Sequence, residues 1–262
     1  IEQVEGDSIC LEHIRQRFDK KYPNSTKVVK ANLEEGFVLR GVWDGFGCYL
    51  MRKYHNKFKS AMLRRIPNSA TILDIGSGRG GDISKWKKLR KVYALEPSKR
   101  ANKEFRRRLQ DNPGNIQLIN KKLRYLEDIE KLDAITIFFV ANLLRKKDMD
   151  KLEELLVRDR CKLSMIFMDE NLIRYEDCQP CYTISKSEDE KKYHIKLHGT
   201  VIDQQEYKLD IKDILEMAKR IGYRVMYEKV LIDGRIPGDD QVYRMTDVER
   251  KLSSMFHAVE LG

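Results

Sequence analysis

The sequence predicts an α/β protein with a mostly parallel sheet, helices on both faces and an antiparallel edge at its C-terminal end. Three observations lead to this prediction. Short apolar runs alternate with amphipathic stretches from residue 70 to residue 168, as in parallel strands joined by helical crossovers. The first apolar run ends in a glycine-rich loop at 76–81. After residue 180 the alternation gives way to strand-like stretches around one well-formed helix.

The individual elements follow from the hydrophobic periodicity. Helices are predicted near 9–18 and over about 47–65, the second of them rich in Arg and Lys. Within the alternating region the predicted strands are 70–75, 91–96, 116–119, 133–140 and 163–168. The helices between them are a segment from the glycine loop through residue 86, then 99–109 and 149–157. The fourth strand is continuously apolar, as expected for a strand buried on both faces.

The C-terminal part adds strand-like stretches around 193–203 and 223–232. An amphipathic helix over 210–221 lies between them, with Gly222 as its stop signal. We interpret both stretches as an antiparallel edge of the same sheet. The chain of 262 residues fits one large domain, which we assign to 41–262, with 1–40 as an N-terminal extension that packs on the core.

The composition excludes several classes of protein. The apolar content of 41% suffices for a core and argues against intrinsic disorder. The longest nearly unbroken apolar run, 134–144, is shorter than the roughly 20 residues that span a bilayer. The polar start at residue 1 does not resemble a signal peptide, and a start without Met suggests a piece of a longer protein. A net charge of +10 favours a polyanionic partner such as RNA, DNA or an anionic membrane, with a well-solvated basic surface as the alternative.

The cysteines indicate a reducing compartment, since five of them in a chain of this length do not resemble a disulfide framework. Four residues nevertheless match the spacing of a Cys2His2 zinc finger: Cys178, Cys181, His194 and His198. The two histidines fall in an alternating, strand-like stretch. Residues four apart on a strand lie about 13 Å apart, which is too far to chelate one ion. We therefore do not expect zinc.

The glycine loop indicates the class of cofactor. Residues 76–81 read Gly-Ser-Gly-Arg-Gly-Gly and fit the dinucleotide fingerprint of Rossmann-like folds, and Glu96 follows where an acidic group can hold ribose hydroxyls. Asp74 and Asp82 flank the loop and would repel a pyrophosphate, which carries about two negative charges. S-adenosylmethionine (SAM) carries an ammonium and a sulfonium and no phosphate. The carboxylates thus favour SAM over NAD or FAD, whereas Arg79 is compatible with phosphate, and a purely structural turn is the alternative.

Three ordered motifs resemble one enzyme family. Residues 73–86, Leu-Asp-Ile-Gly-Ser-Gly-Arg-Gly-Gly-Asp-Ile-Ser-Lys-Trp, resemble the signature of the messenger RNA cap guanine-N7 methyltransferases. Residues 52–60, Arg-Lys-Tyr-His-Asn-Lys-Phe-Lys-Ser, are similar to that family's Arg-Asn-Phe-Asn-Asn-Trp-Ile-Lys-Ser segment. Residues 205–207 and 214–219 resemble its Pro-Glu-Phe and Leu-Leu-Glu-Glu-Met-Ala-Lys blocks. The resemblance covers about 45–262 and is closest to the methyltransferase domains of multifunctional capping enzymes of large cytoplasmic DNA viruses, such as asfarviruses.

This resemblance implies a class I SAM-dependent methyltransferase that methylates guanine N7 of the 5′ cap and releases S-adenosylhomocysteine. The cofactor-binding residues that it implies are Lys59, Asp74, Gly76, Ser77, Gly78, Asp82, Glu96, Asn120, Phe139 and Val140. The substrate-binding residues that it implies are His55, Asn56, Asn142, Glu206 and Tyr207. It also implies capped RNA, other capping domains of the same polypeptide and a stimulatory subunit as partners, in the host cytoplasm or the virion.

The chemistry of the implied reaction requires no catalytic acid or base, because guanine N7 has a lone pair and no proton, so positioning alone suffices. Glu206 suits guanine, whose N1–H and amino group are adjacent donors that one carboxylate accepts together. The family's His-Tyr pair is replaced by Asn142-Leu143, and a Tyr by Lys122. Stacking on the guanine is therefore weaker or uses other aromatic residues, such as Tyr54, Tyr175 or Tyr207.

Two other functions are compatible with the sequence. One is a SAM-dependent methyltransferase with another nucleic-acid or protein target, and the other is a catalytically silent module that binds RNA or scaffolds a partner. The basic residues concentrate at 52–65 and 85–108, on both sides of the glycine loop. If both stretches face the cleft, they form a basic rim for capped RNA around an acidic pocket for the cationic methyl donor.

Overall fold

The computed structural model describes residues 48–111, 114–175, 177–179, 181–198, 200 and 202–262. The predicted helix at 9–18 and the predicted extension at 1–40 lie outside the described residues. The division into an extension and a domain at 41–262 therefore stays a prediction.

Seven strands form the main sheet: β1 (Thr71–Ile75), β2 (Lys91–Leu95), β3 (Ile116–Ile119), β4 (Ala134–Phe138), β5 (Lys162–Met168), β10 (Val225–Val230) and β13 (Phe256–Leu261). Their order is β10-β13-β5-β4-β1-β2-β3. Neighbours among β1 to β5 are parallel, whereas β13 runs antiparallel to both β5 and β10. The strand order reverses beside β1, and open α/β sheets bind their ligands outside the carboxyl ends of the strands at this switch point.

Within the described ranges, five α-helices accompany the sheet: α1 (Tyr49–Arg64), α2 (Lys99–Asp111), α3 (Lys146–Asp159), α4 (Ile211–Arg220) and α5 (Asp247–Ser253). The first four confirm the predicted helices. Of these helices, only α5 was not predicted, although its Thr-x-x-Glu start is a capping box. The Thr246 side chain accepts from the Glu249 backbone N–H, and the Glu249 side chain accepts from the Thr246 backbone N–H. Among the described residues, no helix has the length and apolar character needed to cross a membrane.

Two apolar cores lie on opposite faces of the main sheet. One contains Phe58 and Met62 of α1, together with Ile72 of β1. The other contains Leu152 of α3 and Leu73 of β1. Successive residues of β1 thus enter opposite cores, which explains the continuously apolar strands and confirms the predicted fold class.

The segment after the glycine loop is not the predicted helix. Only a short 3-10 turn, Ile83–Lys85, follows the loop. Gly80 has a φ of +75°, and the Asp82 side chain does not cap the turn but pairs with two lysines. The loop therefore lacks the helix N-terminus on which dinucleotide folds hold a pyrophosphate.

The stretch around 193–203 also differs from its prediction. It belongs to a separate four-stranded antiparallel sheet, with β6 (Asp177–Gln179), β7 (Tyr182–Lys186), β8 (Lys192–Leu197) and β9 (Asp203–Tyr207) in that order. We call this the cover sheet. It does not join the main sheet because β13 occupies the place beside β5, and its buried side chains, such as Tyr182 and Tyr193, pack into the core that contains α1. The stretch around 223–232 does form an edge strand, β10, as predicted; a small hairpin, β11 (Arg235–Ile236) and β12 (Asp239–Val242), follows it.

Candidate cofactor and substrate site

A cavity of about 380 Å³ opens at the carboxyl ends of β1, β2 and β4. Its lining includes Gly76 from the glycine loop, Glu96 after β2 and Val140 after β4. Gln205 and Tyr207 of the cover sheet contribute to the same cavity. The cavity thus lies where the strand order reverses, which is the expected ligand position in this architecture.

The glycine loop brings bare backbone against the cavity wall. Gly76 has a φ of +77°, and a Cβ at this position would lie 2.4 Å from Cγ2 of Val140. Its backbone N–H donates to the Leu95 carbonyl at 2.8 Å, which ties the loop to the end of β2. Gly78 has a φ of +56°. These positions require glycine, so the loop presents backbone and not side chains to a ligand.

Glu96 is buried beside this loop. Its Oε2 accepts from the Gly78 backbone N–H at 2.9 Å, and its Oε1 accepts from the Ser98 backbone N–H at 2.7 Å. Each carboxylate oxygen keeps a further lone pair, which suits the two hydroxyls of a ribose. Asn120 lies at the end of the neighbouring strand β3, and its Nδ2 donates to the Glu96 carbonyl at 3.2 Å. Its Oδ1 can accept from an amino group, such as that of adenine.

Asp74 is buried at the bottom of the site. Its Oδ1 accepts from Oγ1 of Thr136 at 2.6 Å. Burial, followed by the nearby charge of Asp82, raises the pKa of Asp74 to about 6. Ser77 holds the adjacent turn, because its Oγ donates to the Asp74 backbone carbonyl at 2.9 Å.

The raised pKa predicts a pH-dependent stability. Because the folded-state pKa of Asp74, about 6, exceeds the unfolded value of 3.8, its contribution is fully present below about pH 4 and is lost as the pH rises through 6. Relative to Asp74→Asn, the wild type should lose on the order of 2–3 kcal/mol of unfolding free energy between pH 4 and pH 7.5. Urea unfolding without ligand at several pH values measures this difference. A difference between the two proteins that does not change with pH would contradict the prediction.

Asp82 forms the centre of a charged cluster. It pairs with Lys59 of α1 and with Lys85, and Nζ of Lys85 also donates to Oδ1 of Asn56 at 2.9 Å. Burial opposes ionisation of Asp82, but the two lysines outweigh it and hold its pKa below the usual range. The structure thus joins the predicted residues Lys59, Asp82 and Asn56. Lys85 was not among the predicted site residues, although it belongs to the Lys-Trp end of the loop motif.

An aromatic cluster lies beside this charged cluster. His55 stacks on Phe139 with ring centroids 5.0 Å apart, and Phe256 meets both rings edge-on. Burial, followed by the charge of Lys59, lowers the pKa of His55 to about 3, so this ring is neutral at physiological pH. Phe139 has a φ of +62°, a strained conformation for a phenylalanine that is often found at functional sites. Tyr54, one of the residues considered for stacking, is completely buried in the core.

Glu206 lies in the cover sheet opposite Tyr193. Its carboxylate accepts from the Tyr193 hydroxyl at 2.6 Å and from Nε2 of Gln204 at 2.7 Å. Burial raises its pKa. Gln205 and Tyr207 line the cavity, so the end of β9 lies at the site, whereas Glu206, which alternates with them along the strand, is not part of the cavity lining.

Asn142 is fully engaged in holding the two sheets together. Its Nδ2 donates to the carbonyls of Met168 and Tyr207 at 2.8 and 3.1 Å, and its Oδ1 accepts from the Met168 N–H at 3.0 Å. The structure therefore places Asn142 as a clamp between the end of β5 and the end of β9. It positions the cover sheet and does not present its amide to the cavity.

The residues with zinc-finger spacing form other contacts. His194 lies on β8, as the alternation predicted, and its Nε2 lies 2.9 Å from Oδ1 of Asp203. Nε2 of His198 lies 2.9 Å from Oγ1 of Thr183. Cys181 is a buried free thiol, and the side chain of Cys178 is outside the described part of the chain. Where side chains are described, no group of His, Cys, Asp and Glu is suited to hold a metal ion.

Known proteins resemble the chain both in sequence and in fold. Residues 72–158 match the family model described as a methyltransferase domain. The chain is 32% identical over 201 residues to "Uncharacterized killer plasmid pGKl-2 protein 3" of Kluyveromyces lactis, an alignment that covers 72% of the chain and 29% of that protein. The chain thus spans less than a third of this curated relative.

Solved structures show the same architecture. A protein of Pyrococcus horikoshii superimposes with a TM-score of 0.57 and 13% identity, over 80% of this chain and 90% of its own. A S-adenosylmethionine-dependent methyltransferase of Clostridium acetobutylicum superimposes with a TM-score of 0.53 and 12% identity, over 79% of this chain and 91% of its own.

The fold is that of the class I SAM-dependent methyltransferases, as predicted, and residues 72–158 match the model of a methyltransferase domain. SAM, the predicted cofactor, is the methyl donor of this class. The guanine-N7 substrate and the viral origin stay predictions.

Proposed function

We propose that this domain transfers a methyl group from SAM to guanine N7 of the 5′ cap of RNA. The observation that carries the proposal is the convergence of the three motifs. Asn56 and Lys59 from the first motif contact Lys85 and Asp82 from the second. Tyr207 from the third motif lines the same cavity as Gly76 from the second.

The residues of the site suit a transfer that needs no proton acceptor. SAM would supply an electrophilic methyl group here, and because guanine N7 offers a lone pair and carries no proton, the task left to the residues of the protein would be orientation. Glu206 can accept from guanine N1–H and the amino group. Methylation leaves positive charge on the guanine, which a carboxylate at this position stabilises. The His55 ring is neutral, and its Nε2 lies 2.8 Å from Oγ of Ser253. This contact holds the ring in place within the aromatic cluster.

The proposal is tested with labelled SAM and three RNAs of one sequence. RNA with a GpppN end should become labelled, whereas RNA with a 5′-triphosphate end should not. RNA that already carries N7-methylguanine is the matched control and should also stay unlabelled. Equal labelling of the N7-methylated RNA would indicate another position, such as the ribose 2′ hydroxyl, and would overturn the proposal. So would an absence of labelling by protein that binds SAM.

A further inference from the structure

A basic surface lies on one side of the cavity opening. It consists of residues 121–125, which follow β3, and residues 145–147, at the start of α3; we call these eight residues the basic rim. Lys121, Lys122, Arg124 and Arg145 of the rim line the cavity. This surface is distinct from the two basic stretches beside the glycine loop, 52–65 and 85–108, in which Lys59 and Lys85 pair with Asp82.

A buried carboxylate makes the two segments of the rim into one surface. Oδ1 of Asp148 accepts from the backbone N–H and from Nε of Arg124, both at 3.0 Å. Its Oδ2 accepts from the Arg145 backbone N–H at 3.0 Å. The Arg124 guanidinium, which lies next to it, holds the pKa of Asp148 low despite burial. Asp148 therefore stays ionised and fixes the loop after β3 against the start of α3.

Most of the charge on the rim is not neutralised. Lys121 pairs with Glu127, and Arg124 pairs with Asp148. By contrast, Lys122, Arg145, Lys146 and Lys147 are exposed and make no ion pair within the part of the chain that the structure describes. Four positive charges thus remain available to an anionic partner at the opening of the cavity.

An exposed aromatic ring lies among these charges. Tyr125 is 64% exposed, and its ring centroid is 6.0 Å from the Arg124 guanidinium. Leu143, which is 42% exposed, also lines the cavity. An exposed aromatic ring among cations is the combination by which proteins bind single-stranded nucleic acid, because bases stack on the ring while phosphates follow the cations. Double-stranded RNA keeps its bases stacked inside the helix and would not use the ring.

We propose that the basic rim binds single-stranded RNA, with Tyr125 as a stacking surface for a base and with Lys122, Arg145, Lys146 and Lys147 beside the phosphates. The assignment of this RNA as the body of the capped substrate rests on the proposed function, since the rim borders the cofactor cavity. RNA binding by the rim itself does not depend on methyl transfer.

Fluorescence anisotropy with an uncapped, unstructured 20-nucleotide RNA tests the rim separately from the methylation reaction. The measurement uses the full chain. Because it records binding of an uncapped RNA and involves no methyl transfer, its result does not depend on the proposed methylation reaction. Tyr125→Ala should weaken binding by about 5- to 150-fold, the equivalent of removing one base stack. Tyr125→Phe keeps the ring and should restore most of the affinity.

Charge variants test the role of the lysines beside the phosphates. Lys146→Gln/Lys147→Gln should weaken binding and make the dependence of log Kd on log salt shallower by about 0.7 for each phosphate that the protein no longer neutralises. The matched control is Lys219→Gln/Arg224→Gln, which removes the same charge where α4 ends and β10 begins, at the opposite edge of the main sheet. An equal loss of affinity with the control pair, unchanged binding in the rim variants, or equal weakening in Tyr125→Ala and Tyr125→Phe would each overturn the proposal.

Discussion

Gly76→Ala should abolish SAM binding, with an affinity at least about 100-fold lower than that of the wild type. The new Cβ would lie 2.4 Å from Cγ2 of Val140 and 2.9 Å from its Cβ and Cγ1, so the loop and the end of β4 must separate. The φ of +77° adds about 1–2 kcal/mol of strain for a residue with a side chain. Both effects displace the backbone that lines the cavity between Glu96 and Val140.

Gly81→Ala is the matched control for this substitution. Gly81 lies in the same loop, its φ is outside the left-handed region, and no atom lies within 4 Å of a Cβ built on it. Isothermal titration calorimetry with SAM should give wild-type affinity for Gly81→Ala and no measurable heat for Gly76→Ala. Equal affinities in the two variants would contradict the prediction. If Gly76→Ala fails to fold, Glu96→Ala keeps every glycine of the loop, and its removal of the ribose acceptors should still weaken SAM binding.

Glu206→Gln should lower kcat/KM for GpppRNA by about 100-fold, or about 2.7 kcal/mol, while the affinity for SAM stays unchanged. The carboxylate can accept two hydrogen bonds from guanine, whereas glutamine offers one oxygen and turns its amino group towards a second donor. Hydrogen bonds to a charged group contribute about 1.5–3 kcal/mol each. The loss should therefore appear with the RNA substrate and not with the methyl donor.

The pH profile separates this role of Glu206 from a structural one. Because burial raises the pKa of Glu206, the activity of the wild type should fall at acidic pH as its carboxylate is protonated. This fall should be absent in Glu206→Gln. Glu190→Gln, which makes the same change at an exposed position before β8, should keep wild-type activity and the acidic fall. An acidic fall that persists unchanged in Glu206→Gln would contradict the prediction.

The sequence was sufficient for the parts of the fold that depend on local periodicity. The parallel strands are apolar throughout because both faces are buried, and α4 carries its own start and stop in Asp210 and Gly222. The cover sheet was not recognised as a separate unit. Apolar and polar residues alternate along its strands as they do along any half-buried strand. The cover sheet is excluded from the main sheet because β13 pairs with β5. That pairing joins residues about 90 positions apart in the chain, so no local pattern contains it.

In the site, too, features set by neighbouring residues were predictable from the sequence, whereas contacts between distant segments were not. The loop motif and the position of Glu96 predicted the cofactor, because spacing along one strand-loop-strand unit fixes both. The pairing of Lys59 with Asp82 and the contact of Lys85 with Asn56 require α1 to lie against the loop, and periodicity alone does not specify those contacts. Asn142 was expected at the substrate, but three hydrogen bonds to the backbone engage its amide. The basic rim was missed because its charges come from two segments that Asp148 brings together.

The position of β13 has a consequence for the synthesis of the protein. This strand is the last of the seven to leave the ribosome, yet it occupies an interior position between β5 and β10. Until Phe256–Leu261 has emerged, neither neighbour can pair on this side, including β5, which is buried from Leu163 to Met168 in the folded protein. The main sheet can therefore close only after Leu261 has been translated.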